Sequence, residues 1–317
     1  MLNRAMSLLF GLALAGTAAA QSAYPSRPVR LIAASAAGGS IDLLARTTAQ
    51  WLQPRLKQPF LVENRPGAQG LVATDMVIKA PADGLTLLVY AHTIVTQQHL
   101  LKESTYDWRR DITPIAKIAG SGLVLIISSN IPPKTLGEFI AFAKANPGKL
   151  NIALAGGVNP DASEIEDKLG IELTPVMYKG GAPATAAIAA GESHFLLGGS
   201  YQAVALIQGG KARAIAYTGL KRHYSLPDVP TLSESGFPGY SAGFWVGLFG
   251  PAGLPPEITG VLNREIREMN KAPETLERYR SQGYEAYDLT PQELRQEMLD
   301  YDSRTSAIIT KLGLKIN

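Results

Sequence analysis

The chain has no cysteine and only four histidines, His92, His99, His194 and His223. A thiolate nucleophile, a disulfide and a sulfur-ligated metal are all excluded. His92 and His99 stand seven apart, but no adjacent carboxylate or third ligand completes a metal set, so no metal is expected. His92 follows the strand-like run Leu85–Tyr90, where a cleft residue belongs, and with Thr93 it is a candidate ligand contact. His194 and His223 read as surface residues. Serine chemistry has no more support. Ser40 and Ser200 fall at strand ends, yet nothing supplies a base for either and there is no Gly-x-Ser-x-Gly elbow. The dinucleotide fingerprint and the phosphate loop are also absent. Glu63, Asn64 and Arg65 resemble a catalytic cluster, but Pro66 and Gly67 make a turn the better reading.

What remains is chemistry of binding. A short apolar run, Val29–Ala34, ends in Ser35, Ala36, Ala37, Gly38 and Gly39, and a helical pattern opens at Ser40, Ile41 and Asp42. A strand that ends in glycines and starts a helix presents bare backbone N–H groups with the positive helix end behind them, a ready anion site. No lysine, histidine or cysteine sits in the loop, so it suits holding an anion rather than reacting with one. A plain strand–turn–helix with a flexible glycine pair fits the same residues equally well. Tyr178, Lys179, Gly180 and Gly181 repeat the arrangement and add a mobile cation, unless Lys179 simply points to solvent. Phe244 and Trp245 follow a polar loop and either line the cleft or pack at a hinge.

The elements that must position these groups alternate. Strands are expected at Val29–Ala34, Phe60–Glu63, Leu85–Tyr90, Leu123–Ser128, Asn151–Ala155, Thr174–Tyr178, Phe195–Leu197, Ala212–Tyr217 and Trp245–Gly250. Helices are expected at Ile41–Leu56, Gly70–Ala80, from about Val95, at Leu136–Ala145, near Ala162–Leu169 and at Ala182–Ala190. Three more close the chain, near Glu257–Asn270, Pro273–Gln282 and Pro291–Leu312. Such alternation predicts an α/β fold of two lobes, with parallel sheets covered by helices on both faces. Ligands of open α/β sheets bind beyond the carboxyl ends of the strands, which places the site in the cleft.

The first twenty residues read as an export signal, with Arg4, an apolar core from Leu8 to Ala15 and small residues up to a cleavage after Ala20. The apolar stretch is too short to span a membrane. Without Arg4 the formal charge falls from +3 to +2, too small to imply a nucleic-acid partner. The remaining 297 residues suit two lobes better than one core.

Several motifs then coincide along the chain: Tyr24-Pro25, Gly38-Gly39 with Asp42 and Ala45-Arg46, and the run from Glu63 to Ala68. Ala82 to Gly84, Pro147 to Asn151, Ala155-Gly156, Tyr178 to Gly180, Gly209 to Lys211, Leu226 to Thr231, Gly247 to Phe249 and Pro251 to Gly253 follow in order. In these the chain resembles the Bug family, the extracytoplasmic solute receptors of tripartite tricarboxylate transporters. The resemblance implies a type II-like periplasmic-binding-protein (Venus-flytrap) fold that closes on a small carboxylate. It implies two strand–helix loops that hold the ligand mainly by backbone N–H groups and bridging water, and membrane permease subunits as partners. Neither a cofactor nor a catalytic residue is expected, and the receptor is expected to be a periplasmic monomer. A ligand-sensing partner of a membrane sensor kinase is the alternative; an exported hydrolase is remote. The lobes are expected at 21–122 with 226–317, and at 123–225, hinging near Gly120–Leu123 and Ser225–Pro230.

The candidate ligand contacts are thus Ser35, Gly38, Gly39, Ser40, Asp42, His92 and Thr93 from the first lobe, with Phe244 and Trp245. Gly156, Gly157, Tyr178, Lys179, Gly180, Gly199, Ser200 and Tyr201 come from the second. The second lobe departs from the family pattern. About three residues are missing before Tyr178, and Asn159 and Pro160 stand as N-cap and N1 of a helix. Asp161, Glu164, Glu166 and Asp167 follow and would repel a second anion. Gly198 stands where the family commonly has an Asp, which opens space beside Tyr201. A ligand with one carboxylate and a neutral far end, aromatic or carrying hydroxyl or amide groups, is expected.

Overall fold

Strand β1 (Val29–Ala33) is buried along almost its whole length, and its alternate residues feed two different cores. Such a strand must lie inside a sheet covered on both faces. In the computed structural model, which describes residues 24–101, 104–155, 159–178, 181–311 and 313, β1 pairs in parallel with β2 (Phe60–Asn64) and β3 (Thr86–Ala91). Beyond β3 the direction reverses: β10 (Gly243–Pro251) runs antiparallel to both β3 and β4 (Ile112–Gly122), and β11 (Glu285–Ala286) closes the edge. Helices α1 (Ser40–Leu56), α9 (Pro256–Met269) and α10 (Pro273–Ser281) cover one face through Leu44, Leu52, Leu262, Ile266 and Tyr279. The other face is covered by α2 (Leu71–Ile78), α3 (Thr93–Leu100) and α11 (Pro291–Lys311), with Val77, Ile94, Leu294 and Met298 packed beneath. Each fully buried aliphatic side chain contributes roughly 1.5–3 kcal/mol. The short helix α4 (Trp108–Asp111) leads into β4.

The second sheet has the order β7-β6-β8-β5-β9. Strands β6 (Asn151–Ala155), β7 (Thr174–Tyr178) and β8 (Phe195–Gly198) are parallel; β5 (Val124–Ser128) is antiparallel to β8 and to β9 (Ala212–Tyr217). Helices α5 (Leu136–Ala145) and α6 (Pro160–Leu169) pack on one face, α7 (Gly181–Ala190) and α8 (Ser200–Gln208) on the other.

The two-lobed α/β organisation follows the expectation, but the sheets are mixed rather than parallel. The reversal comes from the chain crossing twice between lobes, so β5 and β10 re-enter their sheets against the prevailing direction. The second crossing lies at Ala242–Gly243. Residues 226–242, expected with the first lobe, pack on the second through Leu226, Val229, Leu232, Tyr240 and Ala242. The crossings are stitched together: the Leu123 N–H donates to the Thr218 hydroxyl (2.7 Å), which donates to the Ala242 carbonyl (2.6 Å). Gly243 is needed there, since a side chain would meet the Ser121 carbonyl at 2.3 Å. Strand β4 and helix α8, both absent from the expected elements, complete the crossing and the second lobe's far face.

Candidate functional site

The parallel pairing of β1 with β2 and β3 brings the loops after Ala33, Asn64 and Ala91 side by side at one sheet end. The first of these is held by Asp42. Its carboxylate, 3% exposed, accepts the Gly38 N–H (2.9 Å) and the Asn64 amide (2.9 Å), and pairs with Arg46 at 3.0 Å. The same Asn64 amide donates to the Ser35 carbonyl at 3.2 Å. Burial works against the Asp42 charge, but Arg46, the Gly38 N–H and Asn64 outweigh it and keep the carboxyl below its ordinary range. Asp42, expected among the ligand contacts, is therefore spent on shaping the loop, and so is the Gly38 N–H. Gly38 takes φ +83°, a left-handed conformation that glycine adopts without strain.

The consequence lies one residue on. Gly39 is the N-cap of α1 and has no side chain with which to cap it. The Leu43 N–H reaches the Gly39 carbonyl (3.0 Å), but the N–H groups of Ser40, Ile41 and Asp42 have no acceptor among the described residues. Ala36, Ala37, Gly38 and Ser40 are exposed. The result is an open helix start with unspent donors and the positive end of a 17-residue helix.

His92 is the N-cap of α3, next to this loop, and is buried, its N–H donating to the Trp245 carbonyl at 2.9 Å. Its ring meets Phe244 edge-on at 5.8 Å and lies 5.6 Å from Tyr301. Nε2 faces the Asp161 carboxylate of the second lobe at 3.6 Å, while Nδ1 has no partner among the described residues. A carboxylate does stand beside His92, then, supplied from far along the chain. Among the described residues no group of three metal-ligating side chains forms. Thr93 is exposed at the first position of α3.

In the second lobe the corresponding helix start is already filled. The Asn159 side chain accepts the N–H groups of Asp161 (3.0 Å) and Ala162 (3.3 Å), and Pro160 has none to offer. The acids of α6 do not all face the ligand side. Glu164 pairs with Arg304 at 3.1 Å, Asp167 with Lys311 at 2.5 Å, and Glu166 accepts the Leu173 N–H at 3.1 Å. Only Asp161 turns to the inner surface, where it accepts the Tyr301 hydroxyl at 3.0 Å. Tyr301 and Arg304 were outside the expected site; they lie on the C-terminal helix, and no local signal marks them.

The other expected residues divide. Gly156, Gly157, Lys179 and Gly180 lie outside the described residues, as does the side chain of Tyr201. Tyr178 turns its hydroxyl back to Ser193 (3.1 Å), away from the strand's carboxyl end. Gly199 caps α8 with its N–H given to Gln202 (2.9 Å), and Ser200 is buried, roofed by Gly283. Gly198 opens no space: a side chain there would press on Gln202 and Ile126 at 3.1 Å. Trp245 is buried in the first-lobe core. It also lines a cavity of about 520 Å³ beside the hinge, with Lys117, Tyr287, Glu297 and Arg304. None of Ser35–Ser40 borders this cavity, so it is separate from the open helix start. Lys117 is buried, which pushes its amine below the usual range, while Glu297 at 2.6 Å acts to retain the charge. His223, read as a surface residue, is buried, with Nδ1 2.7 Å from the Ser225 hydroxyl.

Comparison with known proteins places this arrangement. Residues 44–314 match the family described as "Tripartite tricarboxylate transporter family receptor". The protein BugT of Bordetella pertussis is 31% identical over 313 residues, with 96% of each chain covered. A TctC solute binding protein from Polaromonas, solved with no ligand, superimposes with a TM-score of 0.83 at 26% identity, covering 91% of this chain and 99% of that one. The R. palustris protein Rpa4515, solved with adipate, gives a TM-score of 0.72 at 28% identity, covering 92% and 98%.

Proposed function

The chain belongs to the Bug-type receptor family of tripartite tricarboxylate transporters, and from that premise we propose that it captures a small organic acid by one carboxylate seated at the bare start of α1. The observation that carries this reading is the set of N–H groups at Ser40, Ile41 and Asp42 that find no acceptor among the described residues, behind a glycine N-cap and the exposed loop residues Ala36, Ala37 and Gly38. Backbone donors at a helix start bind a carboxylate without a counter-charge that would make the site reactive. The chain is exported by its first twenty residues, works as a periplasmic monomer and hands its ligand to membrane permease subunits. It binds without turning the ligand over.

The far end of the ligand is neutral. The second lobe offers no free donors at the start of α6, and Asp161 puts a buried negative charge on the inner surface. Two like charges a few Å apart cost about 1 kcal/mol in water and several when partly desolvated. Adipate is bound by a relative, but here its second carboxylate would approach Asp161. The ligand class that fits is a monocarboxylate whose tail is aromatic or carries hydroxyl or amide groups, set against His92 and Phe244.

A thermal-shift panel tests this, since a ligand at a hundredfold its dissociation constant stabilises by about 2.7 kcal/mol. Aromatic and neutral-tailed monocarboxylates should give the largest shifts. The largest shift from citrate, adipate or aspartate would overturn the reading of the second lobe.

A further inference from the structure

Helix α11 starts as a first-lobe element and ends as something else. Leu294 and Met298 are fully buried in the first-lobe core, and the buried carboxylate of Asp302 receives Arg109 and, at 2.5 Å, His99. This half is anchored. The other half leaves that core and lies along α6 of the second lobe. There the acids of α6 stand one per turn, at 161, 164 and 167, and so share a face. Each has a partner on α11: Asp161 accepts the Tyr301 hydroxyl (3.0 Å), Glu164 pairs with Arg304 (3.1 Å) and Asp167 with Lys311 (2.5 Å). Arg304 also donates to the Ser241 carbonyl at 3.4 Å.

The three rungs are not equal. Asp167 and Lys311 are both well exposed, and such a pair holds little in water. Asp161 and Glu164 are 6% and 5% exposed. Tyr301, Arg304 and His92, which face them, belong to first-lobe elements, so these contacts cross between the lobes; Lys168 and Tyr240 of the second lobe also act on Glu164. Burial pushes the Glu164 carboxyl upward while Arg304 pulls it down. The rung therefore costs desolvation as well as providing attraction.

We infer that α11 is a strap that draws the second lobe onto the first, and that its ladder with α6 holds the receptor largely closed before any ligand arrives. The ligand then fills a cleft whose closed form already exists, and opening requires Asp161 and Glu164 to leave their partners. This holds whatever acid the cleft accepts, and does not rest on the reading of α1.

The absence of native cysteine makes the test direct. Spin labels on Val72→Cys in α2 and Ala182→Cys in α7, both exposed positions, report the distance between lobes in the mature protein dialysed free of small molecules. The otherwise unmodified receptor should show one dominant short distance. Arg304→Glu should lower the closed-to-open ratio by about tenfold or more, because like charge replaces attraction at the central rung. Combining Arg304→Glu with Glu164→Arg should restore the short distance, which mere loss of packing would not do. Tyr301→Phe, which removes one hydroxyl and little volume, should shift the distribution the same way by less. An unchanged distribution in Arg304→Glu, or a double swap as open as the single variant, would overturn the strap.

Discussion

The two lobes build their cleft from the same unit, a strand followed by a helix, and treat its helix start in opposite ways. At α1 the cap position is glycine, the nearby carboxylate of Asp42 is turned down into the loop and neutralised by Arg46, and three N–H groups have no acceptor among the described residues. At α6 the cap is Asn159, which consumes two N–H groups, proline removes another, and Asp161 presents its charge on the inner surface. One helix start keeps its donors unspent among the described residues; the other spends them and carries its own carboxylate. Carboxylates near a helix start are favourable in both lobes. Their different effect on a ligand follows from where each side chain points and what already holds it.

The sharpest way to break this comparison is to give α1 the charge that α6 has. A Cβ on Gly39 meets nothing closer than 3.4 Å, and its φ of −78° suits any residue, so Gly39→Asp should fold normally. Its carboxylate should cap α1 and repel the ligand's. At an effective dielectric near 20, two charges at 4 Å repel by about 4 kcal/mol. A loss of affinity of roughly a hundredfold or more is expected by calorimetry. Undiminished binding in a folded variant would place the anion elsewhere.

The complementary change removes the cap from α6. Asn159→Ala should cost about 1 kcal/mol of stability, the usual worth of such a cap, seen as a lowered melting temperature. Affinity for a monocarboxylate should change less than twofold. If binding instead collapses as far as in Gly39→Asp, then α6 also holds the ligand, and the asymmetry between the lobes is not what selects it.

How much of this could be read from the residues alone follows from how local each feature is. The α1 site rests on a contiguous stretch, an apolar strand, two glycines and a helical pattern, so its geometry was legible. Strand β4 was not. Pro114 and the Gly-Ser-Gly run at 120–122 break its apolar pattern, and two register shifts against β10 disturb its alternation. The mixed sheets were hidden for a related reason, since strand direction depends on where the chain crosses between lobes. The acids of α6 were visible as charges, but their direction was not, because Tyr301 lies 140 residues beyond Asp161. Without that helix, the carboxylates at this helix start look like one repulsive surface; with it, Glu164 and Asp167 are paired with cations and Asp161 accepts a hydroxyl, while Glu166 is tied to a backbone N–H of its own lobe.

The smallest expected effect concerns how firmly the first-lobe loop is held. Asn64, which ties Asp42 to Ser35, ends β2 directly after Glu63. The Glu63 carboxylate is gripped by Arg30 through two bonds of 2.6 and 3.0 Å, and by Arg65 at 3.2 Å. The hydrogen bonds from Arg30, more than the opposing burial, lower its carboxyl from the ordinary 4.5 to about 2. A carboxyl lowered on folding stabilises the native state wherever it is ionised and the unfolded chain's would be too. The contribution is therefore complete above pH 4.5 and is lost as the pH falls toward 2. Partial exposure of all three side chains screens it, so the change should be a minor part of the total stability. Chemical denaturation of the native protein and of Glu63→Gln, compared from pH 6 to pH 2, measures it. The gap between them should be constant at the upper end and close toward the lower. A gap that stays constant down to pH 2 would mean that the Arg30 clamp does not hold Glu63 in solution, and that the bare start of α1 owes its shape to Asp42 and Asn64 alone.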